Sequence, residues 1–127
     1  MPDALTIRLP EPPSMNTYWR SVVIKGQVRV LLSARGRAYK QDVLAHWLRR
    51  PPKERRALEG PIAVHLAWHR GRRAGDTDNR SKAPLDALNG LAWLDDDQIV
   101  DLRITRHESP QNGYLDVTIE PLATDAA

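Results

Sequence analysis

The sequence contains no cysteine, no phenylalanine and no long hydrophobic run. Without cysteine the protein can form neither disulfide bonds nor thiolate metal sites, and this absence is typical of proteins in a reducing compartment. No stretch is long and apolar enough to cross a bilayer, and residues 1–13 lack the apolar segment of a signal peptide. The sequence therefore predicts a soluble, cytoplasmic protein that does not associate with membranes.

Charge of one sign is only slightly in excess. Nineteen Lys and Arg residues stand against 16 Asp and Glu residues, which gives a net charge of +3. This balance permits a polyanionic partner without requiring one. A chain of 127 residues, 41% of them hydrophobic, is long enough for one modest core and too short for two. We therefore expect a single domain over residues 1–127, with a frayed tail over about 121–127.

Alternation of apolar and polar residues predicts strands along most of the chain. The predicted strand segments are 4–9, a hairpin around Lys25–Gly26, 61–70, 98–106 and 114–120. In segment 61–70 one face carries large apolar residues, while the other carries alanines and histidines, so we expect half of this strand to be buried. The proline-rich segment 10–20 is predicted to be extended, because its prolines lack backbone donors.

Apolar residues at helical spacing predict two helices. The first covers about 34–49 with Ser33 as its N-cap, and the second covers about 79–89 with Asp78 as its N-cap and Gly90 just beyond its end. Pro84 falls inside the second helix, so we expect a kink or a late start. This order of elements predicts a small α+β domain with a mixed β-sheet and two main helices.

Two acidic motifs flank the second helix. Asp76 and Asp78 are two residues apart, so in an extended segment both point to one side, with Cα atoms ~7 Å apart. Asp96 belongs to the run Asp95–Asp97, and the seven residues 90–96 can reach back ~23 Å when extended. The spacing therefore allows a cluster of three carboxylates, although a lone Asp-x-Asp is more often a helix cap or a solvated turn.

Three clustered carboxylates repel one another unless a cation lies among them. Oxygen ligands without cysteine suit Mg²⁺ or Mn²⁺, which hold phosphate oxygens and lower the pKa of a bound water. Lys82 lies one turn into the predicted helix, where it can neutralise charge on a phosphoryl group. Arg72, Arg73 and Arg80 flank the place where a phosphate backbone would approach. An EF-hand is excluded, because Arg80 and Ala87 occupy ligand positions.

Taken together, these motifs resemble a known family. The segments "DTDNRSKAPLDAL" and "WLDDDQIVD" are similar in combination to those of the RusA family of Holliday-junction resolvases, which is common in prophages. The segment "LPEPPSMNTYWR" also resembles the N-terminal motif of that family, and the resemblance extends from about Leu5 to Glu120. It implies a RusA-like single domain.

The resemblance also implies roles for individual residues. Asp76, Asp78 and Asp96 would be the catalytic, metal-binding carboxylates, with Asp97 as an adjacent competitor for the third position, and Lys82 would be the catalytic lysine. Alignment on the flanking Trp93 and Gln98 favours Asp96.

Further implications concern the substrate. The family acts as a homodimer that binds four-way DNA junctions and uses Mg²⁺ to make paired nicks in DNA recombination and repair. Asn16 and Tyr18 match the N-terminal motif and are expected near the DNA or the carboxylates, and Arg72, Arg73 and Arg80 would position the DNA backbone.

Two other functions stay open on the sequence alone. In the first, the protein binds branched DNA without cleaving it, and its carboxylates hold a structural metal or cap a helix. In the second, it is a metal-dependent hydrolase of small phosphates, which the short and basic character of the site disfavours.

Overall fold

The fold is described from a computed structural model over residues 4–71, 77, 80–109 and 112–122. The elements follow the order β1 (Leu5–Pro10), α1 (Met15–Tyr18), β2 (Trp19–Ile24), β3 (Gln27–Leu32), α2 (Ala34–Leu48), β4 (Ile62–Arg70), α3 (Lys82–Leu88), β5 (Ile99–Glu108) and β6 (Tyr114–Pro121). Short 3₁₀ turns cover Pro52–Glu54 and Asp96–Gln98. No helix in these ranges is long and apolar enough to cross a membrane.

One four-stranded sheet organises the domain, and its strand order is β1-β6-β4-β5. β6 is antiparallel to both β1 and β4, whereas β4 and β5 are parallel. Parallel neighbours require a crossover connection, and α3 lies within that crossover. The hairpin of β2 and β3 forms a separate two-stranded sheet. The mixed sheet and the α+β class are thus confirmed.

The core lies between one face of the sheet and the helices. Ile62, Val64, Leu66 and Trp68 of β4 are buried as predicted, while the alternate residues are partly exposed. Helix α2 contacts β1 and α3. It contributes a buried stripe at every fourth residue, which is the spacing of one helix face. The members of that stripe are Tyr39, Val43 and Trp47.

Local sequence signals predicted the first helix and the hairpin correctly. The hydroxyl of Ser33 accepts a hydrogen bond from the backbone N–H of Gly36 (2.9 Å), so Ser33 is the N-cap of α2. Lys25 and Gly26 form the hairpin turn with positive φ angles of 51° and 78°, as expected for a tight turn between antiparallel strands.

The prediction of an extended path was wrong for Met15–Tyr18, which forms helix α1. The carbonyl oxygen of Ser14 accepts hydrogen bonds from the backbone N–H groups of Thr17 and Tyr18 (both 3.0 Å). Proline stops at residue 13, and every later residue of the segment has the N–H donor that a helical turn requires.

Helix α3 starts later than residue 79, and the position of Pro84 had indicated such a late start. It begins at Lys82 and its N-cap is Ser81, so the prediction of Asp78 as its N-cap was wrong. Pro84 is the third residue of the helix, where the missing N–H would have no intrahelical acceptor. The helix ends at Leu88, and Gly90 follows with φ +86° as expected.

The first two residues of the predicted tail, 121 and 122, are part of the fold. Pro121 belongs to β6, and the N–H of Leu122 donates a hydrogen bond to the carbonyl oxygen of Pro61 (2.9 Å). The rest of the predicted frayed tail, 123–127, lies outside the described residues.

Candidate functional site

The structure describes some of the predicted site residues and leaves out the others. Asp96, Lys82, Arg80, Asn16 and Tyr18 lie within the described ranges. The remaining predicted residues lie outside them, and these are Asp76, Asp78, Arg72 and Arg73. The site is therefore built from its described half and from the residues that flank the other half.

Asp96 is an exposed carboxylate held by a buried indole. Its Oδ1 atom accepts a hydrogen bond from Nε1 of Trp93 (2.8 Å), and Trp93 is fully buried. Asp95 instead caps the 3₁₀ turn, because its carboxylate accepts from the N–H of Asp97. Asp97 is exposed, and only its backbone takes part in this turn. Among the described contacts of Asp95–Asp97, a core residue thus orients the carboxylate of Asp96.

Gln98 fastens the turn that carries Asp96. Its Oε1 accepts from the N–H groups of Leu94 (2.8 Å) and Asp95 (2.9 Å). Its Nε2 donates to the carbonyl oxygens of Leu58 (2.8 Å) and Gly60 (2.9 Å). The first two hydrogen bonds close the acidic turn, and the last two tie it to the segment that enters β4. Sequence reasoning used Gln98 only as an alignment marker and missed this role.

Lys82 is the first residue of α3 and is exposed. Among the contacts of the described residues it has neither a hydrogen bond nor an ion pair, so its ammonium group is free to meet an anion. One turn later, Asp86 accepts a hydrogen bond from the hydroxyl of Tyr18 (2.5 Å) and lies 3.9 Å from Nζ of Lys40. Asp86 therefore fastens α3 to α1 and α2.

The N-terminal motif implied a DNA contact for Tyr18. Its side chain is fully buried and is therefore not available for that contact. Burial raises the pKa of its hydroxyl, and the hydrogen bond to Asp86 raises it further. The neutral phenol is thus a fixed donor that positions α3. Asn16, in contrast, is exposed on α1, where it remains accessible.

Sequence reasoning missed Glu11, which lies at the end of β4, where the chain continues toward Asp76. Its Oε2 atom accepts hydrogen bonds from Nε1 of Trp68 (2.9 Å) and from the N–H of Gly71 (3.1 Å). Gly113 packs so closely on this carboxylate that a side chain at 113 would collide with it. Glu11 therefore holds the end of β4.

Arg80 is anchored near the same end of β4. Its Nη1 donates to the carbonyl oxygen of Pro12 (2.7 Å), and its guanidinium lies over the ring of Trp68, 4.9 Å from the centroid. Burial lowers its pKa, whereas the Glu11 carboxylate raises it. The backbone N–H of Arg80 also donates to the carbonyl oxygen of Thr77 (3.3 Å). These contacts hold the partly exposed guanidinium of Arg80 against the fold, and its contact with a DNA backbone stays a prediction.

Arg80 and Asp96, two residues of the predicted site, lie at opposite ends of the sheet. Arg80 contacts Trp68 near the end of β4, whereas Asp96 precedes β5, whose first residue Ile99 pairs with Ile62 at the start of β4. Six residues of strand separate Ile62 from Trp68, which is ~20 Å. Within one chain, residues 90–96 therefore do not return toward the end of β4, although their length allowed it.

The tight path of residues 89–93 explains this outcome. The N–H of Gly90 donates to the carbonyl oxygen of Trp93 (2.8 Å), and Trp93 also forms β-bridges with Leu58 and Asn89. The chain thus turns at the end of the sheet where β4 begins.

Across the described ranges, no group of three His, Cys, Asp or Glu side chains gathers as a metal site. His65 and His69 lie on the partly exposed face of β4, as expected.

The fold and these residues define a small α+β domain with an anchored, exposed aspartate and a free lysine at the start of a helix. The family model described as "Endodeoxyribonuclease RusA" matches residues 10–120. The protein named "Crossover junction endodeoxyribonuclease RusA" from Escherichia coli (strain K12) is 34% identical over 122 residues, which cover 94% of this chain and 97% of that protein.

A phage relative gives a similar match. The protein named "Crossover junction endodeoxyribonuclease rusA" from Enterobacteria phage 82 is 35% identical over 121 residues, which cover 94% of this chain and 96% of that protein. The relative from Shigella sonnei (strain Ss046) is 34% identical over 122 residues. The chain therefore belongs to the RusA family, and the resemblance drawn from its motifs is confirmed.

Proposed function

We propose that this protein is an endodeoxyribonuclease that resolves four-way DNA junctions by paired nicks, in recombination and repair. The observation that carries the proposal is the family match over residues 10–120, together with relatives that are named crossover junction endodeoxyribonucleases. The exposed Lys82 and the anchored carboxylate of Asp96 support it, because both groups are accessible to a phosphodiester.

A divalent metal, Mg²⁺ with Mn²⁺ as an alternative, would be held by Asp76, Asp78 and Asp96. The described member of this set fits such an ion, because it is an exposed oxygen ligand oriented by an indole N–H in the way that outer partners orient metal ligands. When bound, the metal supplies Lewis acidity at phosphate oxygens. Lys82 neutralises charge on the phosphate, and Arg72 and Arg73 position the backbone.

The protein would act as a homodimer. Paired nicks require two symmetry-related sites, and a twofold dimer provides them. The ~20 Å of strand between Ile62, at the Asp96 end of β4, and Trp68, near its other end, supports a further step. In that step Asp96 of one chain joins the loop of its partner, so that each site is shared between two chains.

An exposed apolar hairpin face supports the dimer independently. Val23 and Val28 are paired across the hairpin and are 71% and 72% exposed, and Val30 on the same face is 61% exposed. An isolated two-stranded hairpin is only marginally stable in water, and contiguous exposed apolar patches mark interaction surfaces. A second copy that covers this face would stabilise the hairpin.

Cleavage of a labelled synthetic four-way junction, beside a linear duplex of the same sequence, tests the activity. We expect paired nicks in the junction alone, lost in EDTA and in Asp96→Asn but retained in the matched control Asp97→Asn. A junction that is bound but stays uncut in Mg²⁺ and in Mn²⁺ would favour the non-catalytic binding protein. Turnover of a small phosphodiester without preference for DNA form would favour the small-phosphate hydrolase.

Mixing two inactive variants tests the shared site. If each site takes Asp96 from one chain and Asp76 from the other, a dimer of one Asp76→Asn chain and one Asp96→Asn chain contains one intact site. A random mixture would then regain about a quarter of the wild-type sites, because about half of the dimers are mixed. Sites confined to single chains would regain none.

A further inference from the structure

A strongly basic segment, residues 49–56, follows α2 at the Asp96 end of the sheet. We propose that this basic segment binds the phosphate backbone of a junction arm next to the cleavage site. The proposal rests on the proposed function, since it assigns a second contact to the same DNA. The basic residues of the segment are Arg49, Arg50, Lys53, Arg55 and Arg56, and Glu54 is its one acidic residue.

Prolines and one anchoring hydrogen bond fix the path of the basic segment. Pro51 and Pro52 end the helical run, and Pro52–Glu54 forms a 3₁₀ turn. Nη1 of Arg50 donates a hydrogen bond to the carbonyl oxygen of Thr6 on β1 (3.2 Å). The cations are therefore presented on a restrained backbone, which lowers the entropy lost when they bind.

A groove of about 390 Å³ runs between the basic segment and the start of β1. Arg50, Lys53 and Arg56 line it, and Glu54 is its acidic lining residue. Ala4, Leu5 and Leu58 add apolar walls. The groove is thus a concave surface with three cations and one anion, which suits a phosphate backbone.

Within the described part of the chain, no acidic side chain neutralises the cations of the basic segment. No ion pair joins any of its five cations to an acidic residue there, and Nε of Arg50 and Nε of Arg55 are buried without an acceptor. Acidic side chains of the described fold therefore leave the positive charge of the basic segment without a counter-charge.

Arginines of the sheet behave differently. Arg8 forms a two-pronged ion pair with Asp116 (2.8 and 3.0 Å), and Arg103 lies 3.8 Å from Asp101. Neutralisation within the fold is thus common on the sheet and absent, among described residues, along the basic segment. The unbalanced positive charge is concentrated in one place.

That place adjoins the turn that carries Asp96. Two residues after Arg56, Leu58 forms a β-bridge with Trp93, and its carbonyl oxygen accepts from Nε2 of Gln98. Trp93 in turn holds the Asp96 carboxylate. DNA with one phosphate at Asp96 would therefore carry neighbouring phosphates toward the groove. A repeating polyanion matches five cations spread over eight residues better than a single small anion does.

The double variant Lys53→Gln/Arg56→Gln tests the proposal, with Arg103→Gln/Arg106→Gln as a control that makes the same charge change on β5. Binding of a labelled four-way junction is measured in EDTA between 0.05 and about 0.3 M salt, a range over which counterion release governs affinity. Two lost phosphate contacts would reduce the slope of log K against log salt by about 1.8. At about 0.15 M salt this equals roughly 30-fold weaker binding, relative to a common value at 1 M.

The control variant should keep the wild-type slope. Thermal unfolding of both variants checks that each is folded, as expected for exposed side chains. A segment variant whose slope and affinity equal those of the control would overturn the proposal. So would a segment variant that binds DNA normally but loses affinity for an acidic polypeptide, since the partner would then be a protein.

The EDTA condition separates this proposal from the proposed nuclease activity. Wild type that cuts the junction in Mg²⁺, with a segment variant that binds like the control, would leave the nuclease intact and remove the basic segment from it. Wild type that never cuts, with a segment variant of reduced slope, would remove the nuclease and retain the DNA-binding surface.

Discussion

Replacing Glu11 should destabilise the protein and disturb the loop that leads to Asp76. Glu11→Ala removes the acceptor of two N–H donors, Nε1 of Trp68 and the backbone N–H of Gly71. Glu11→Gln is the matched control, because its amide oxygen can still accept both hydrogen bonds while the charge is lost. The difference between these two variants isolates the hydrogen bonds.

The burial of each donor sets the size of the effect. Trp68 is fully buried, so its unpaired N–H costs ~1–3 kcal/mol. Gly71 is partly exposed, and water can replace much of its lost bond. We therefore expect Glu11→Ala to lower the free energy of unfolding by about 2–3 kcal/mol and Glu11→Gln by about 1 kcal/mol, the charge-assisted part. For a domain of this size the alanine variant would melt roughly 10 °C lower.

Urea unfolding with an unchanged m-value measures these free energies. In a Trp68→Phe background the indole donor is already absent, so Glu11→Ala should cost at least ~1 kcal/mol less there. Glu11 touches no reacting atom and is a positioning residue, so junction cleavage should fall more in the alanine variant than in the glutamine variant, with junction binding in EDTA retained. Equal stability of the two variants, or costs that add in the Trp68→Phe background, would refute this reasoning.

Two further predictions concern other contacts. Tyr18→Phe removes the hydroxyl that donates to Asp86 and should lower the free energy of unfolding by ~1–2 kcal/mol. Asp86→Asn should lower it less, because its amide oxygen still accepts the hydrogen bond. Urea unfolding measures both, and a change near zero for Tyr18→Phe would contradict the buried hydrogen bond. Burial and the adjacent His107 lower the pKa of His69 in the folded protein. As the pH falls, this imidazole is therefore protonated in the unfolded chain before it is protonated in the folded protein, and stability should fall as the pH drops through about 6.5. His69→Gln should weaken this fall between pH 8 and pH 5, and an unchanged fall would exclude His69 as its source.

Periodicity predicted the elements that bury one regular face. The alternation in β4 and the four-residue spacing in α2 report burial directly, because side chains repeat every two residues in a strand and every three to four in a helix. Helix α1 was missed because its four residues are fewer than the repeat needed to show a period. Its role depends on Tyr18, whose partner Asp86 is 68 residues away in sequence.

The contacts around the site were harder to predict than its candidate residues. Glu11 lies between prolines in a segment that has the composition of an exposed loop, yet its carboxylate serves a buried indole 57 residues away. Charge alone predicted that Arg80 faces a phosphate backbone, and the structure adds internal contacts of its guanidinium with the ring of Trp68 and the carbonyl oxygen of Pro12. Charge pattern along the chain does not report which cations the fold uses internally.

Chain length likewise gave only an upper limit for the position of Asp96. Residues 90–96 are long enough to return to the end of β4, but the β-bridges of Trp93 with Leu58 and Asn89 keep them at the end of the sheet where β4 begins. The turn that carries Asp96 is thus separated by the length of β4 from the point where the chain leaves that strand. The proposed twofold dimer would resolve this separation, because it can place the Asp96 end of one chain against the far end of β4 in its partner. The basic segment lies at that same Asp96 end, so in the proposed dimer it would extend the partner's cleavage site along the DNA.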